Sequence, residues 1–184
     1  VQCSKGKFNG STGAVACTPC SPGKFAVTKG KQACIKCTVG SFADSPGSNV
    51  CFDVPSGWFG ADSSGSFAAA PAAAAVQAFP CQGGTFSADG STSCTNVQAG
   101  NFASIDGKTY AAQGATQEVK CPAGTYSNDG NGPCLLVGGG HTHATASSAA
   151  QGSSGKVACA AGKAGSNGSC SLVCNGAGQD SGQG

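Results

Sequence analysis

Methionine and arginine are absent from this 184-residue chain, tryptophan occurs once, and charged residues make up 10% of it. Without arginine the chain lacks the planar fork that grips phosphate bidentately, so nucleic acid is not an expected partner. Leu, Ile, Val and Phe together supply 26 of the 184 residues, below the share from which a conventional core is built. No stretch of 18 apolar residues occurs, and no membrane-spanning helix is expected. The formal net charge of +2 is too small to hold the chain open by self-repulsion. There is no Ser-His-Asp set, no facing pair of carboxylates and no phosphate-cradling glycine loop, so catalysis is not expected. The opening Val1-Gln2-Cys3 is not a signal peptide, and the chain reads as a processed or excerpted segment.

What the chain does have is glycine and cysteine, 31 and 13 residues respectively. Phe8, Phe25, Phe42 and Phe59 lie seventeen residues apart, Cys3, Cys20 and Cys37 keep one register with them, and Cys17, Cys34 and Cys51 keep another. A fixed period this short identifies an array of small units. Each opens as Cys-x-x-Gly-x-Phe/Tyr, as in Cys20-Ser-Pro-Gly-Lys-Phe25, and closes with Cys-x-x before the next opening. Further units open at Cys81 and Cys121, and a shorter one runs from Cys159 to Cys170.

At Val54, Val97 and Val137 the opening cysteine is replaced, and those same units lack a closing cysteine. Loss in pairs points to bonds within units, because a bond lost whole strands no thiol. The inferred pairs are Cys3–Cys17, Cys20–Cys34, Cys37–Cys51, Cys81–Cys94, Cys121–Cys134 and Cys159–Cys170. Cys174 is left for a partner chain or a further unit. Closing a loop of roughly 15 residues is worth ~3 kcal/mol of chain entropy, and such bonds persist in oxidising compartments. The expected location is extracellular or at the cell surface.

Between aromatic and closing cysteine lie turn pairs: Asn9-Gly10, Lys29-Gly30, Pro46-Gly47, Asp89-Gly90, Asp106-Gly107 and Asp129-Gly130. Glycine there accepts the positive φ of tight hairpins. The predicted fold is small and disulfide-rich, mostly irregular chain with short β-hairpins, arranged as an elongated tandem-repeat rod with little conventional core. The recurring aromatic is expected to pack on the neighbouring unit's cystine, and valine to preserve packing where the sulfur tie is gone. The organisation reads as three regular repeats over 1–53, a valine-type repeat with an Ala/Pro-rich insertion over 54–80, and a cysteine repeat plus a long valine-type repeat over 81–120. A cysteine repeat plus a Gly/Ser/His-rich valine-type repeat follow over 121–158, then a degenerate repeat and Gly-rich tail over 159–184. Alanine raises helix propensity over 72–78, between Pro71 and Pro80.

The Cys-x-x-Gly-x-Phe/Tyr … Cys-x-x-Cys pattern resembles the ephrin-receptor-like cysteine-rich repeat and, more distantly, tumour-necrosis-factor-receptor modules. The match is closest over 3–53 and recognisable at 81–102 and 121–137. The resemblance implies an elongated, disulfide-laddered, non-enzymatic ectodomain, of the kind tandemly arrayed in surface proteins of unicellular eukaryotes. Alternating loss of cysteines and long Ala/Gly insertions depart from that family.

Other motifs are weighed on the same residues. Cys17-Thr-Pro-Cys20 and Cys34-Ile-Lys-Cys37 have zinc-knuckle spacing, but zinc accounts for four cysteines where disulfides account for six, so no metal is expected. His141-Thr-His143 reads as chance spacing in a low-complexity loop. Asn9-Gly-Ser11 and Asn167-Gly-Ser169 are N-glycosylation acceptors, and the Ser/Thr-rich loops suit O-linked sugar. Covalent glycan, with no other cofactor, is the expectation. Six of the ten lysines precede the first acid, Asp44, and read as the solvated edge of small hairpins rather than a polysaccharide patch. The chain is expected to be a structural subunit of an extracellular, glycosylated filament or coat, such as a flagellar or surface hair. It would polymerise with copies of itself by repeat stacking, since the array shows no polar caps. The alternative is the stalk ectodomain of a surface receptor or adhesin that binds a protein or glycan.

Overall fold

The computed structural model describes residues 2–11, 15–69, 74–90, 93–137 and, beyond these, the strands at 141–143, 156–158, 163–166 and 169–172. No helix occurs among them. Among the described residues each opening motif folds as a β-turn. In the first repeat the Lys7 N–H donates to the Ser4 carbonyl across Gly6, and the same bond recurs from Lys24 to Ser21, Ser41 to Thr38, Trp58 to Pro55 and Thr125 to Pro122, at 3.0–3.2 Å. The motif glycines, Gly6 to Gly124, take φ between +77° and +86°, the third-position geometry of a type II turn that a side chain opposes.

The turn launches the first strand of a hairpin, and the residues between two successive cysteines form the second. The antiparallel pairs are β1 (Lys7–Phe8) with β2 (Thr18–Pro19), β3 (Lys24–Phe25) with β4 (Ile35–Lys36), and β5 (Ser41–Phe42) with β6 (Phe52–Asp53). Next come β7 (Trp58–Ala61) with β8 (Gln77–Pro80), β9 (Thr85–Phe86) with β10 (Thr95–Asn96), and β11 (Asn101–Ser104) with β12 (Gln117–Lys120). The last are β13 (Thr125–Tyr126) with β14 (Leu135–Leu136), β15 (His141–His143) with β16 (Lys156–Ala158), and β17 (Lys163–Ser166) with β18 (Ser169–Leu172). The chain divides into two compact units, residues 1–97 with 103–119, and residues 98–102 with 120–184.

Disulfides join Cys3 to Cys17, Cys20 to Cys34, Cys37 to Cys51, Cys81 to Cys94 and Cys121 to Cys134, with Cα separations of 5.6–5.8 Å. Each closes its own repeat. The repeats opening at Val54 and Val97 lack this tie and have strands of four residues where the cystine repeats have two. In the Val54 repeat the register runs Trp58↔Pro80, Phe59↔Phe79, Gly60↔Ala78 and Ala61↔Gln77. The ladder thus extends over Ala78, which precedes Cys81 by the same step that separates Cys34 from Cys37. Additional backbone bonds, each worth about 1 kcal/mol net, stand where the sulfur bridge is missing.

Successive repeats are joined by a recurring backbone bond. The opening residue's N–H donates to the preceding motif glycine: Cys20 to Gly6, Cys37 to Gly23, Val54 to Gly40, Cys81 to Gly57, Val97 to Gly84, Cys121 to Gly100 and Val137 to Gly124, at 2.8–3.0 Å. Cysteine and valine make this bond alike. Both are also buried there, from Cys20 at 0% exposure to Val137 at 6%, so valine keeps the apolar contact worth ~1.5–3 kcal/mol. A second set runs the other way. The N–H of Gly6 donates to the Ala26 carbonyl, Gly23 to Ala43, Gly57 to Ser87 and Gly100 to Ser127, at 2.7–2.9 Å.

Burial follows the small residues, and two expectations, on the turn pairs and on the alanine tract, are corrected. The deepest burial belongs to the opening residue and to the small residue after the aromatic (Ala26, Ala43, Ser87, Ala103, Ser127); of the motif aromatics Phe102 and Tyr126 are buried, and Phe8, Phe25, Phe42, Phe59 and Phe86 are half-buried. Within their own hairpins Phe25 stands opposite Ile35 and Phe42 opposite Phe52, while Phe86 packs against the buried cluster of Val97, Ala103 and Ala115 in the following repeat and Phe8 lines a cavity together with Cys34 of the next one. The turn pairs do not form tight hairpins, since residues 26–34 separate β3 from β4. Gly30, Gly47, Gly90, Gly107 and Gly130 do take positive φ, but Gly10 does not; there the Asn9 Oδ1 accepts the Ser11 N–H at 3.0 Å. Nor do the described residues of the 72–78 tract form a helix. Ala75 bridges Phe42 and Gln77–Pro80 is β8, because the Ala43 N–H donates to Ala75 and the Val76 N–H donates to Ala61, outweighing alanine's local preference.

Candidate functional site, a groove between repeats

Stacking leaves a groove where one hairpin meets the turn of the next repeat. Between the first and second repeats a cavity of about 340 Å³ is lined by Phe8, Thr18 and Pro19 on one side and by Ser21 and Lys24 on the other. Between the third and fourth the cavity is about 490 Å³, and the equivalent positions are Phe42, Phe52 and Asp53 facing Pro55 and Trp58. Asp44 and Gln77 complete its polar lining.

The backbone explains the grouping. Phe42 and Phe52 are cross-strand partners in β5–β6, their ring centroids 6.1 Å apart and their planes inclined by 49°. Asp53 follows Phe52 opposite Ser41. The next turn then presents Trp58, the chain's one tryptophan, as the first residue of β7. Phe52 is 54% exposed and Trp58 37%, so both rings are open to a ligand. Asp44 and Asp53 are exposed as well, and the Ser45 hydroxyl donates to Asp44 Oδ1 at 2.9 Å. An aromatic surface edged by carboxylates suits a cationic or hydroxylated ligand. Sequence reading missed this groove because its members belong to two repeats, and Phe52 and Asp53 fall outside the repeated motif, between Cys51 and Val54.

Elsewhere the carboxylates serve loops. The N–H groups of Thr109 and Lys108 donate to Asp106 Oδ1 at 2.8 Å, and the Thr109 hydroxyl to Oδ2 at 2.9 Å. Led by the Thr109 N–H, these donors hold the carboxyl well below the usual carboxylate range. The Ser64 hydroxyl and N–H lower Asp62, and the Asn131 N–H lowers Asp129.

Asn9 is half-buried with Ser11 exposed beside it. Asn167, Cys159 and Cys174 lie outside the described residues. Cys170 falls in β18 opposite Gly165, two residues before Leu172, as Cys34 falls two before Lys36; its side chain lies outside the described part. His141 and His143 are described only as strand positions opposite Ala158 and Lys156. Cys17, Cys20, Cys34 and Cys37 are each bonded to a cysteine of their own repeat, which leaves no thiolate for a zinc knuckle. Among the described residues no cluster of three or more metal-ligating side chains occurs, and no helix is long and apolar enough to cross a membrane. No protein-family model and no curated protein sequence matches the chain.

Proposed function

We propose that this chain is a structural subunit of an extracellular, glycosylated filament or surface coat, built by continuing its repeat stacking from one copy to the next. The carrying observation is the polarity of the inter-repeat bonds. A repeat's opening N–H always reaches back to the preceding motif glycine, from Cys20–Gly6 to Val137–Gly124. One side of a repeat therefore presents a different set of groups from the other. Such head-to-tail contacts, when they do not close into a ring, grow open filaments. The cystine density supports an oxidising, extracellular setting, and the resemblance to ephrin-receptor-like repeats supports a surface location. Asn9 and Asn167 are the proposed N-linked sites, with Cys174 as a proposed bond to a neighbouring copy.

Sedimentation velocity over a wide concentration range, with negative-stain imaging of the same samples, tests the proposal. Mass rising with concentration and thin unbranched filaments are expected. Monomers throughout would overturn it.

A further inference from the structure

The groove between the third and fourth repeats brings Phe42, Phe52 and Trp58 together with Asp44 and Asp53, and no lysine is among its described lining residues. Ring faces attract a cation, quaternary and alkylammonium groups above all, and two carboxylates of one sign strengthen the attraction. Neutral hydrogen-bond donors, which a polyhydroxylated ligand needs in number, are limited there to the Gln77 amide and the Trp58 indole. We infer that this groove binds an alkylammonium group, and that its occupant is a lysine side chain from the first two repeats of a second copy of the chain.

Charge complementarity identifies the occupant. Residues 1–43 hold six lysines and no acid, and Lys5, Lys7, Lys29 and Lys36 are exposed. The equivalent groove between the first and second repeats is lined by Lys24 and by no carboxylate. One structural position has thus become basic near the start of the array and acidic with three aromatics two repeats later. A lysine is also shaped for the site, since its methylene stem lies along rings while the ammonium reaches carboxylates. This contact joins flanks through side chains, and it is separate from end-to-end stacking, which uses backbone groups.

Trp58, as the only tryptophan, reports on the groove by its own fluorescence. Titration of the full chain with Nα-acetyl-lysine methylamide is expected to change Trp58 emission saturably, and N-acetylglucosamine is not. The isosteric double variant Asp44→Asn/Asp53→Asn should weaken the lysine response at least about tenfold and abolish flank-to-flank pairing, with end-to-end oligomers unchanged. Replacing Lys5, Lys7, Lys24, Lys29, Lys31 and Lys36 by glutamine should abolish the pairing yet leave the response to the free lysine analogue intact. No saturable response, an equal response to the sugar, or pairing that survives either set of substitutions overturns the inference. Loss of end-to-end oligomers alone would count against the filament and leave this site standing.

Discussion

The Gly47 N–H donates to the carbonyl of Cys20, one repeat upstream, at 2.7 Å, and the Gly30 N–H does the same to Cys3 at 2.9 Å. Each of these glycines thus bends its own loop and docks that loop on the preceding repeat. The approach is close enough that the next contact is also backbone: a Cβ on Gly6 would collide with the Gly47 carbonyl. Stability in this molecule is therefore distributed along the stack rather than concentrated in one core.

Gly6→Ala should consequently be among the most damaging single changes. It combines φ of +79° with that collision, and the left-handed conformation alone costs about 1–2 kcal/mol. Gly65 is the control, with φ of +84° and nothing within 4 Å of an added Cβ. Urea unfolding should place Gly65→Ala near the backbone cost and Gly6→Ala well beyond it. Equal losses would argue against inter-repeat docking.

Removing one cystine separates its covalent from its apolar contribution. Cys20→Ser/Cys34→Ser opens a loop worth ~3 kcal/mol and places a hydroxyl at a position with 0% exposure. Cys20→Val/Cys34→Ala copies what the chain itself has at Val54 and Ala78. It should lose distinctly less, by about 1–2 kcal/mol, because the buried methyl groups remain. Comparison of urea midpoints for the two variants checks this.

Asp106 gives a pH test with a definite sign. Its folded pKa is depressed below the ordinary carboxylate value, so its contribution is full above the unfolded carboxylate range and is lost as pH falls through the folded value. Amide exchange at Lys108 and Thr109, corrected for intrinsic rates, should stay protected at pH 4 and loosen only in stronger acid. Asp106→Ala should lose that protection at every pH. A wild-type midpoint near the ordinary value would contradict the geometry.

Glycopeptide mass spectrometry of the secreted protein, with disulfides intact, should find N-linked sugar at Asn9. Asn9→Gln should remove it and leave the Cys3–Cys17 bond in place. An unmodified Asn9 in material secreted by a glycosylating cell would remove that site from the proposal.

Much of the local order was legible in the residues. The joint loss of opening and closing cysteines at Val54 and Val97 pointed to bonds inside each repeat, and five such bonds are present. The repeat array followed from the spacing of Phe8, Phe25 and Phe42, and short hairpins from the glycine pairs between each aromatic and its closing cysteine. The glycine pairs marked bends, but that Gly30 and Gly47 reach back to Cys3 and Cys20 depends on how repeats stack, which no local signal encodes. The alanines and serines after the aromatics carried no signal either, since their burial arises only when repeats stack. The groove lay hidden for a related reason: Phe52 and Trp58 meet only because two hairpins stand side by side.

Alternation of cystine and valine repeats also has a mechanical consequence. Under tension, the chain between Cys37 and Cys51 is bracketed by sulfur and yields no length. The stretch from Val54 to Pro80 holds no cysteine and is closed by hydrogen bonds, chiefly the β7–β8 ladder, and its unzipping would free a contour of about 90 Å at full extension. Pulled strands of this protein should lengthen in discrete steps at the valine repeats, while the bonded repeats between them hold.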